Sequence, residues 1–291
     1  MHVKKFGIWG NTDKKIFWDI LPNILSWASK NRLIPFLTKR ISEKSSLDFK
    51  VIKSKNDFNK MDFMLALGGD GTFLSLARAI QDSGIPILGI HLGDLGFLAK
   101  VTLKDLFLRL DQVAKNDYFI EERILIQSKI IKSDRLIEHV ALNDFVFANG
   151  ESFRMLNTFV SVDGHFVGNY KADGLIISTP TGSTAYSLSA GGPIITPTVD
   201  SIVITPTSAH TLTSRPLVVP GTSKITVSFS EPADSIRFVS DGQVHEILDP
   251  KTKVKILKSD YTIPLIDFND TDYFNTLRVK MGWGKRGDQN I

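Results

Sequence analysis

The N-terminal third of the chain alternates between extended and helical patterns of hydrophobic side chains. Short apolar runs predict strands at residues 3–9, 49–52, 62–67 and 85–90. Apolar side chains recur at helical spacing over residues 12–30 and 72–81, and Pro22 predicts a kink or a division of the first helix. A strand, a glycine-rich turn, a helix and a second strand make a βαβ unit. We therefore expect an α/β domain with a parallel, Rossmann-like sheet.

A β-rich pattern follows residue 98. A helix is predicted over residues 102–115, and turn signals such as Asp163-Gly164 and Asp241-Gly242 separate the short extended segments after it. Strands are predicted at residues 124–131, 140–146, 158–162, 174–178, 202–205, 224–230, 236–239 and 253–257. This spacing predicts an all-β second domain, either a sandwich or an irregular barrel. Residues 270–281 return to a helical pattern, which leaves open the domain on which that helix packs.

Composition narrows the class of protein. The 291 residues suffice for about two domains, and 42% hydrophobic with 23% charged residues is typical of a soluble globular protein. The chain has no cysteine, which excludes disulfides, Cys-ligated metals and thiol nucleophiles and favours the cytoplasm. No stretch has the length of a signal-peptide core or a membrane-spanning helix. A net charge of +4 suits a small anionic ligand and is too small to indicate nucleic acid.

The first candidate site is the turn Gly68-Gly69-Asp70-Gly71-Thr72 between a predicted strand and a predicted helix. Glycines let the backbone approach a ligand, and the free N–H groups at a helix start attract anions. A carboxylate at this place either binds a cation or takes a proton from a hydroxyl. The structural alternative is a tight turn in which Asp70 or Thr72 caps the helix.

Two further segments are polar where the surrounding pattern is apolar. Asn143-Asp144 interrupts an extended run, and such a pair can bind the two hydroxyls of a ribose and a base edge; a β-bulge or turn is the structural alternative. Residues 173–193 are mostly Ser, Thr, Gly, Ala and Pro, which supply hydrogen-bond donors close to the backbone, and Tyr186 can stack on a base. A long loop of this kind is typical of a functional segment.

Several common catalytic motifs are missing from the sequence. It has no Gly-x-x-x-x-Gly-Lys-Ser/Thr loop, no Gly-x-Gly-x-x-Gly after a strand, no Gly-x-Ser-x-Gly and no His-Glu-x-x-His. The six histidines do not cluster at metal-ligand spacing. The standard nucleotide-binding, hydrolase and zinc-protease signatures therefore give no support to those classes.

Taken together, the motifs resemble the NAD kinase family. In the order of that family they are residues 68–72, residues 89–98 (Gly-Ile-His-Leu-Gly-Asp-Leu-Gly-Phe-Leu), Asn143-Asp144, residues 173–193, residues 240–243 (Ser-Asp-Gly-Gln) and residues 272–278 (Asp-Tyr-Phe-Asn-Thr-Leu-Arg). Lipid kinases of the diacylglycerol type and phosphofructokinases carry strings like the first motif. The 173–193 stretch is specific to the resemblance.

The resemblance implies ATP-dependent phosphorylation of the adenosine 2′-hydroxyl of NAD to give NADP, with a divalent cation, expected to be Mg²⁺. It implies an α/β domain over residues 1–98 and a β-rich NAD-binding domain over residues 99–268. A C-terminal helix and tail over residues 269–291 would return to the first domain. A homo-oligomer, a dimer or tetramer, is also implied, with no nucleic-acid or membrane partner.

Carried over residue by residue, the resemblance makes Asp70 the catalytic carboxylate and Gly71 part of its turn. Phe97 would line the pocket, and Asp173 would contact the nicotinamide end. The other substrate-binding residues implied are Asn143 and Asp144 for a ribose and base, Thr184, Ala185, Tyr186 and Ser189 around the dinucleotide, and Lys171 and Gln243. No residue is assigned to the metal, whose ligands come largely from the substrates' phosphates.

Some alternatives stay open at the level of sequence. Lys171 stands where the family commonly has Arg or Gly, which leaves open whether NADH is accepted as well as NAD. The phosphoryl donor is also open between ATP, other nucleoside triphosphates and polyphosphate. A diacylglycerol-type lipid kinase and a non-catalytic dinucleotide-binding sensor are the two rival functions. A lipid kinase has no need of the 173–193 stretch, and a sensor has no need of Asp70.

Overall fold

A computed structural model describes residues 3–45, 49–93, 95–132, 135–150, 155–211, 213–230 and 235–283. The chain divides into two compact units, Met1–Glu121 with Ile263–Ile291, and Glu122–Thr262. Asp94 of the 89–98 motif and the expected tail at residues 284–291 lie outside the described residues.

The first unit is an α/β fold with a parallel sheet. Its strands are β1 (Lys5–Gly10), β2 (Ile34–Thr38), β3 (Lys50–Ile52), β4 (Phe63–Gly68) and β5 (Ile87–His91). Its helices are α1 (Lys15–Lys30), α2 (Lys39–Ser45), α3 (Lys55–Phe58), α4 (Asp70–Ile80), α5 (Leu106–Ala114) and, near the end of the described residues, α7 (Tyr273–Met281). The strand order is β5-β4-β1-β2-β3 with all neighbours parallel, and Leu265 pairs with Ile87 on the free side of β5.

Buried apolar side chains explain the elements of the first unit. All six residues of β4 are buried, as expected of a strand covered on both faces of a parallel sheet. Helix α1 buries a face that includes Phe17, Leu21 and Ile24. Pro22 lies inside α1 without dividing it, so of the two predicted effects, a kink or a division, the division is wrong. A proline removes one backbone hydrogen bond, and the buried side chains before and after it hold the helix in place.

The regular elements of the second unit are mostly β-strands, and the first and the last of these strands extend into the first unit. They are β6 (Phe119–Lys132), β7 (Arg135–Ala141), β8 (Asp144–Asn149), β9 (Leu156–Val162), β10 (His165–Ala172), β11 (Gly174–Ser178), β12 (Ser201–Thr207), β13 (Leu217–Pro220), β14 (Ile225–Phe229), β15 (Ile236–Ser240), β16 (Val244–Leu248) and β17 (Val254–Asp267). A 3₁₀ turn at Gly182–Thr184 precedes the short helix α6 (Tyr186–Ser189).

Antiparallel sheets enclose the core of the second unit. One sheet has the order β13-β12-β11-β8-β15-β16, while β10, β9, β14 and β17 pair in a second and β6 and β7 form a hairpin. Buried side chains of both sheets, such as Phe145, Leu175, Val160 and Val227, form one apolar cluster. The predicted fold class, an α/β domain followed by a β-rich domain and a final helix, is confirmed.

The boundaries of the units differ from those expected. Residues 99–121 belong to the first unit and not to the β-rich one, because α5 buries Leu106, Leu110 and Val113 in the core of the α/β unit. The chain returns to the first unit at Ile263, six residues before the expected position 269. Helix α7 belongs to the first unit, where the ring of Tyr273 lies 6.1 Å from that of Phe97.

Candidate active site

A pocket of about 340 Å³ lies within the β-rich unit, at the start of β8. Its lining residues are Asn143, Asp144, Val146, Ala185, Tyr186, Val239, Asp241 and Gly242. Four of them, Asn143, Asp144, Ala185 and Tyr186, are residues that the sequence singled out for substrate binding. The structure therefore brings together part of the predicted site from two distant segments of the chain.

The backbone breaks where Asn143 and Asp144 enter this pocket. The strand predicted over residues 140–146 is wrong as one element, because β7 ends at Ala141 and β8 begins at Asp144. In the gap, the N–H groups of Leu142, Asn143 and Asp144 donate to the carboxylate of Asp241 over N···O distances of 3.0, 2.7 and 3.1 Å. The polar pair thus sits at an irregular turn, and the same turn directs it to the pocket.

The segment from Thr179 to Tyr186 packs against this break. The Thr179 N–H donates to the Asn143 carbonyl at 2.8 Å, and the Thr179 hydroxyl donates to the Leu142 carbonyl at 2.5 Å. A Cβ at Gly182 would lie 2.1 Å from the Asn143 carbonyl oxygen, so only glycine permits this approach.

The small hydroxylated residues of that segment mostly serve its own structure. The hydroxyls of Ser183 and Ser187 are buried and bond to Pro180 and Thr205 respectively. The composition of residues 173–193 predicts many hydrogen-bond donors for a ligand. Fewer of these residues are available for that role, because some of their hydroxyls are buried and bond within the protein. Tyr186, whose side chain is 50% exposed, is the large side chain of the segment that lines the pocket.

Asp144 carries unusual electrostatics for a carboxyl group. It is only 4% exposed, and no N–H or O–H group of the described residues donates a hydrogen bond to its side chain. Burial, followed by repulsion from Asp241, raises its pKa from 3.8 to about 7. A buried carboxyl group without a donor that lines a pocket can accept hydrogen bonds from the hydroxyl groups of a ligand.

Asp70 lies in the α/β unit as the first residue of α4, directly after the N-cap Gly69. Its carboxylate accepts the N–H groups of Phe97, Leu98 and Ala99 at 2.9, 3.1 and 3.0 Å. It therefore fixes the segment after β5. A Cβ at Gly96 would lie 2.0 Å from Asp70 Oδ1, so the motif at residues 89–98 contains a glycine that this carboxylate requires.

Phe97 is buried and contacts helix α7. Its ring lies 6.1 Å from the ring of Tyr273, and Lys280 Nζ lies 4.8 Å from its centroid. The C-terminal motif and the glycine-rich motif are therefore joined through the segment that Asp70 holds.

The remaining predicted residues lie outside the lining of the pocket. Gly71 is the second residue of α4, Lys171 is exposed on β10, and Asp173 is exposed between β10 and β11. Thr184 ends the 3₁₀ turn, Ser189 is exposed at the end of α6, and Gln243 lies in the turn between β15 and β16.

Asp241 and Gly242 line the pocket, although sequence analysis assigned these two residues only to a turn and to a family motif. Both have positive φ, 51° and 65°, which the Asp-Gly pair after a strand does indicate. The three hydrogen bonds that Asp241 accepts come from Leu142, Asn143 and Asp144, which lie nearly a hundred positions earlier in the chain. No local sequence pattern predicts such bonds. The apolar lining residues Val146 and Val239 could not be told from core residues by pattern.

The described residues contain neither a candidate metal-binding cluster nor a candidate membrane-spanning helix. Nowhere in the described ranges do three or more His, Asp or Glu side chains lie together in a way that could hold a metal ion. None of the described helices is long and apolar enough to cross a membrane.

Comparisons with known proteins assign the chain to a family. The ATP-NAD kinase N-terminal domain matches residues 7–118, and the ATP-NAD kinase C-terminal domain matches residues 142–268. The NAD kinase of Thermoanaerobacter sp. (strain X514) is 39% identical over 280 residues, which cover 96% of this chain and 99% of that protein.

Two solved structures share the fold. The yeast NADH kinase complexed with NADH has a TM-score of 0.92 at 24% identity and covers 100% of this chain and 91% of its own. An NAD kinase from Archaeoglobus fulgidus in complex with ATP has a TM-score of 0.75 at 24% identity over 96% and 98% of the two chains. From the domain matches and the near full-length identity, the chain belongs to the NAD kinase family.

Proposed function

We propose that this protein transfers the γ-phosphoryl group of ATP to the adenosine 2′-hydroxyl of NAD and releases NADP and ADP. The chain belongs to the NAD kinase family, and the observation that carries the proposal is the environment of the Asp144 side chain. The group is 4% exposed, lines a pocket and accepts no hydrogen bond from the described residues. A ribose supplies the two hydroxyl donors that such a carboxylate lacks.

The β-rich unit would bind the acceptor through the pocket residues. Asp144 accepts the ribose hydroxyls, the Asn143 amide meets a base edge, and the exposed ring of Tyr186 stacks on a base. Thr184, Ala185 and Ser189 flank that ring in the chain and would contact the dinucleotide. By the family pattern, Asp173 would contact the nicotinamide end of the substrate, and Lys171 and Gln243 would also bind the substrate.

Asp70 would orient the acceptor hydroxyl. The 2′-oxygen forms a bond to the γ-phosphorus, the bond from phosphorus to the β–γ bridging oxygen breaks, and the hydroxyl proton passes to the Asp70 carboxylate. Phosphoryl transfer has a loose transition state, so positioning contributes more than strong basicity. A carboxylate offers about four acceptor positions, and three N–H groups occupy three of them here. One position remains for the substrate hydroxyl.

The donor would bring a divalent cation with it, and Mg²⁺ fits this role. The described residues form no cluster of three carboxylate or imidazole ligands, and Mg²⁺ commonly takes most of its ligands from phosphates and water. Gly69 and Gly71 leave the backbone on either side of Asp70 without side chains, so that a phosphate group can approach the backbone at the start of α4. When bound, the cation supplies charge neutralisation on the phosphates.

An activity assay tests the proposal directly. The protein is incubated with ATP, Mg²⁺ and NAD, and NADP is measured with an NADP-specific dehydrogenase; parallel reactions contain NADH or diacylglycerol as acceptor. We expect NADP formation that requires both ATP and NAD, with no phosphorylated lipid. Phosphorylation of diacylglycerol without NADP formation would overturn the proposal.

We also propose that the enzyme is a homo-oligomer of the cytoplasm. Strands β13 and β16 end the six-stranded sheet, and Val218 and Ile247 on them are 43% and 52% exposed. Edge strands with exposed apolar side chains favour pairing with another copy. A chain without cysteine needs no oxidising compartment. Light scattering that gives a monomer at micromolar concentration would contradict the oligomer.

A further inference from the structure

In the turn between β15 and β16, one carboxylate binds the backbone of the proposed acceptor-binding residues through several hydrogen bonds. Asp241 Oδ1 accepts the N–H groups of Asn143 and Asp144, and Asp241 Oδ2 accepts that of Leu142. In return, the Asp241 N–H donates to the Asp144 carbonyl at 3.0 Å. Four hydrogen bonds therefore lock the turn and the break before β8 to each other.

A carboxylate at position 241 supplies hydrogen-bond acceptors to buried backbone N–H groups that would otherwise be unpaired. Leu142 is 1% exposed and Asp144 is 4% exposed, so their N–H groups could not bond to water and would cost free energy if left unpaired. The left-handed backbone of Asp241, with φ of 51°, presents both carboxylate oxygens to three consecutive N–H groups. One side chain thereby fixes the peptide planes that carry Asn143 and Asp144.

These hydrogen bonds also place the negative charge of Asp241 beside the buried carboxyl group of Asp144. The other charged or titratable residues on the neighbouring strands are Arg135, Glu138 and His139 on β7, Arg237 on β15, and His245 and Glu246 on β16. Of these, His139 and Glu246 lie 3.9 Å from each other. The 179–186 segment contributes neutral side chains. Repulsion from Asp241 is the charge effect that acts on Asp144, in addition to burial, and it favours the protonated form.

We propose that Asp241 is a positioning residue for the acceptor: it orients Asn143 and Asp144 for the ribose and makes tight binding depend on the ionisation of Asp144. This inference rests on the proposed function of the pocket. A protonated Asp144 can accept fewer hydroxyl donors than the carboxylate. Affinity for NAD should therefore rise with pH through a midpoint of about 7, the pKa of Asp144, and reach a plateau at higher pH.

Substitutions of Asp241 separate its charge from its geometry. Asp241→Asn keeps an oxygen for the bonds from Asn143 and Asp144, removes the charge and turns an amide toward the Leu142 N–H. Asp241→Glu keeps the charge and displaces the carboxylate by one methylene. Glu246→Gln is a matched control, because it removes one negative charge from the same hairpin without touching the N–H groups of Leu142, Asn143 and Asp144.

The experiment is calorimetric titration of NAD into wild type and the three variants between pH 5.5 and 9. For the wild type, affinity at pH 6 should be about tenfold below its high-pH plateau, as a midpoint near 7 requires. Asp241→Asn should move the midpoint about one unit lower, the usual effect of one neighbouring charge, and Glu246→Gln should leave it in place. Asp241→Glu should keep the midpoint and weaken the plateau severalfold.

The outcomes distinguish the two levels of the proposal. If the wild type does not bind NAD at any pH, the proposed function of the pocket is wrong. If the wild type binds and the midpoint of Asp241→Asn is unchanged, the role of Asp241 is wrong while the function stands. Should Asp241→Asn fail to fold, Asp241→Glu still decides, because a plateau within twofold of wild type would contradict the positioning role.

Discussion

At the scale of single residues, Asp144 links stability to binding. Its pKa in the native state, about 7, lies above the ordinary 3.8, so the native protein binds more protons than the unfolded chain between these values. The free energy of unfolding therefore falls as pH rises from about 4 to 7 and changes no further through this group above pH 7. The group that the pocket needs for a ligand thus destabilises the free protein at neutral pH.

Replacing Asp144 by asparagine should separate the effect of this residue on stability from its effect on NAD binding. We expect Asp144→Asn to raise the melting temperature at pH 8, by more than at pH 5.5, because it removes a buried charge. NAD affinity at pH 8 should fall about tenfold or more, the effect of losing hydrogen bonds to a charged group. Scanning fluorimetry and calorimetry measure the two effects. A variant that melts lower than wild type at pH 8 would contradict the assigned burial cost.

Sequence reasoning found Asn143 and Asp144 because they interrupt an apolar pattern, and it found Asp70 because of its glycine neighbours. It did not find the role of Asp241, since hydrogen bonds across 97–99 residues depend on strand pairing that no local pattern encodes. Nor did it predict that Asp70 would hold the N–H groups of Phe97, Leu98 and Ala99.

At the scale of elements, edge strands account for most of the strands that pattern analysis missed. Strand β11 was predicted at residues 174–178 as observed, and all five of its residues are buried. Strands β10, β13 and β16 lie at sheet edges and were not predicted. Six of the eight residues of β10 are not buried, so its pattern resembles that of a polar loop. Alternation is weak where one side of a strand has no neighbour to pack on.

The packing of the 179–186 segment on the break before β8 gives a prediction for this element. Gly182→Ala would place a methyl group 2.1 Å from the Asn143 carbonyl oxygen, a backbone atom that cannot move independently. We expect NAD affinity to fall at least about tenfold, with a loss of stability of about 1–3 kcal/mol. Gly168→Ala is the matched control in β10, because its new Cβ meets only the Tyr170 ring at 3.9 Å. Equal affinities for the two variants would refute the packing role of Gly182.

At the scale of the whole molecule, the pocket lies entirely within one of the two units. A ligand bound there should stabilise whichever thermal transition includes the β-rich unit. At a concentration one hundred times its dissociation constant, NAD should add about 2.7 kcal/mol to the free energy of unfolding. Differential scanning calorimetry should show a shift of several degrees in wild type and a much smaller one in Asp144→Asn at the same NAD concentration. An equal shift in both proteins would place the binding site elsewhere.

The most direct measurement is the turnover of Asp70→Asn in the NADP-forming assay. Asparagine retains an oxygen for the Leu98 and Ala99 N–H groups, which both bond to Oδ1, but it cannot take the proton of the 2′-hydroxyl. Asp62→Asn is the control, because Asp62 also accepts two backbone N–H groups, those of Lys4 and Lys5, in the same unit. We expect Asp70→Asn to fold, to bind NAD within a few-fold of wild type and to lose at least about a hundredfold in turnover, while Asp62→Asn keeps wild-type turnover. Turnover of Asp70→Asn close to that of wild type would contradict a catalytic Asp70 and leave it as the residue that fixes the segment after β5.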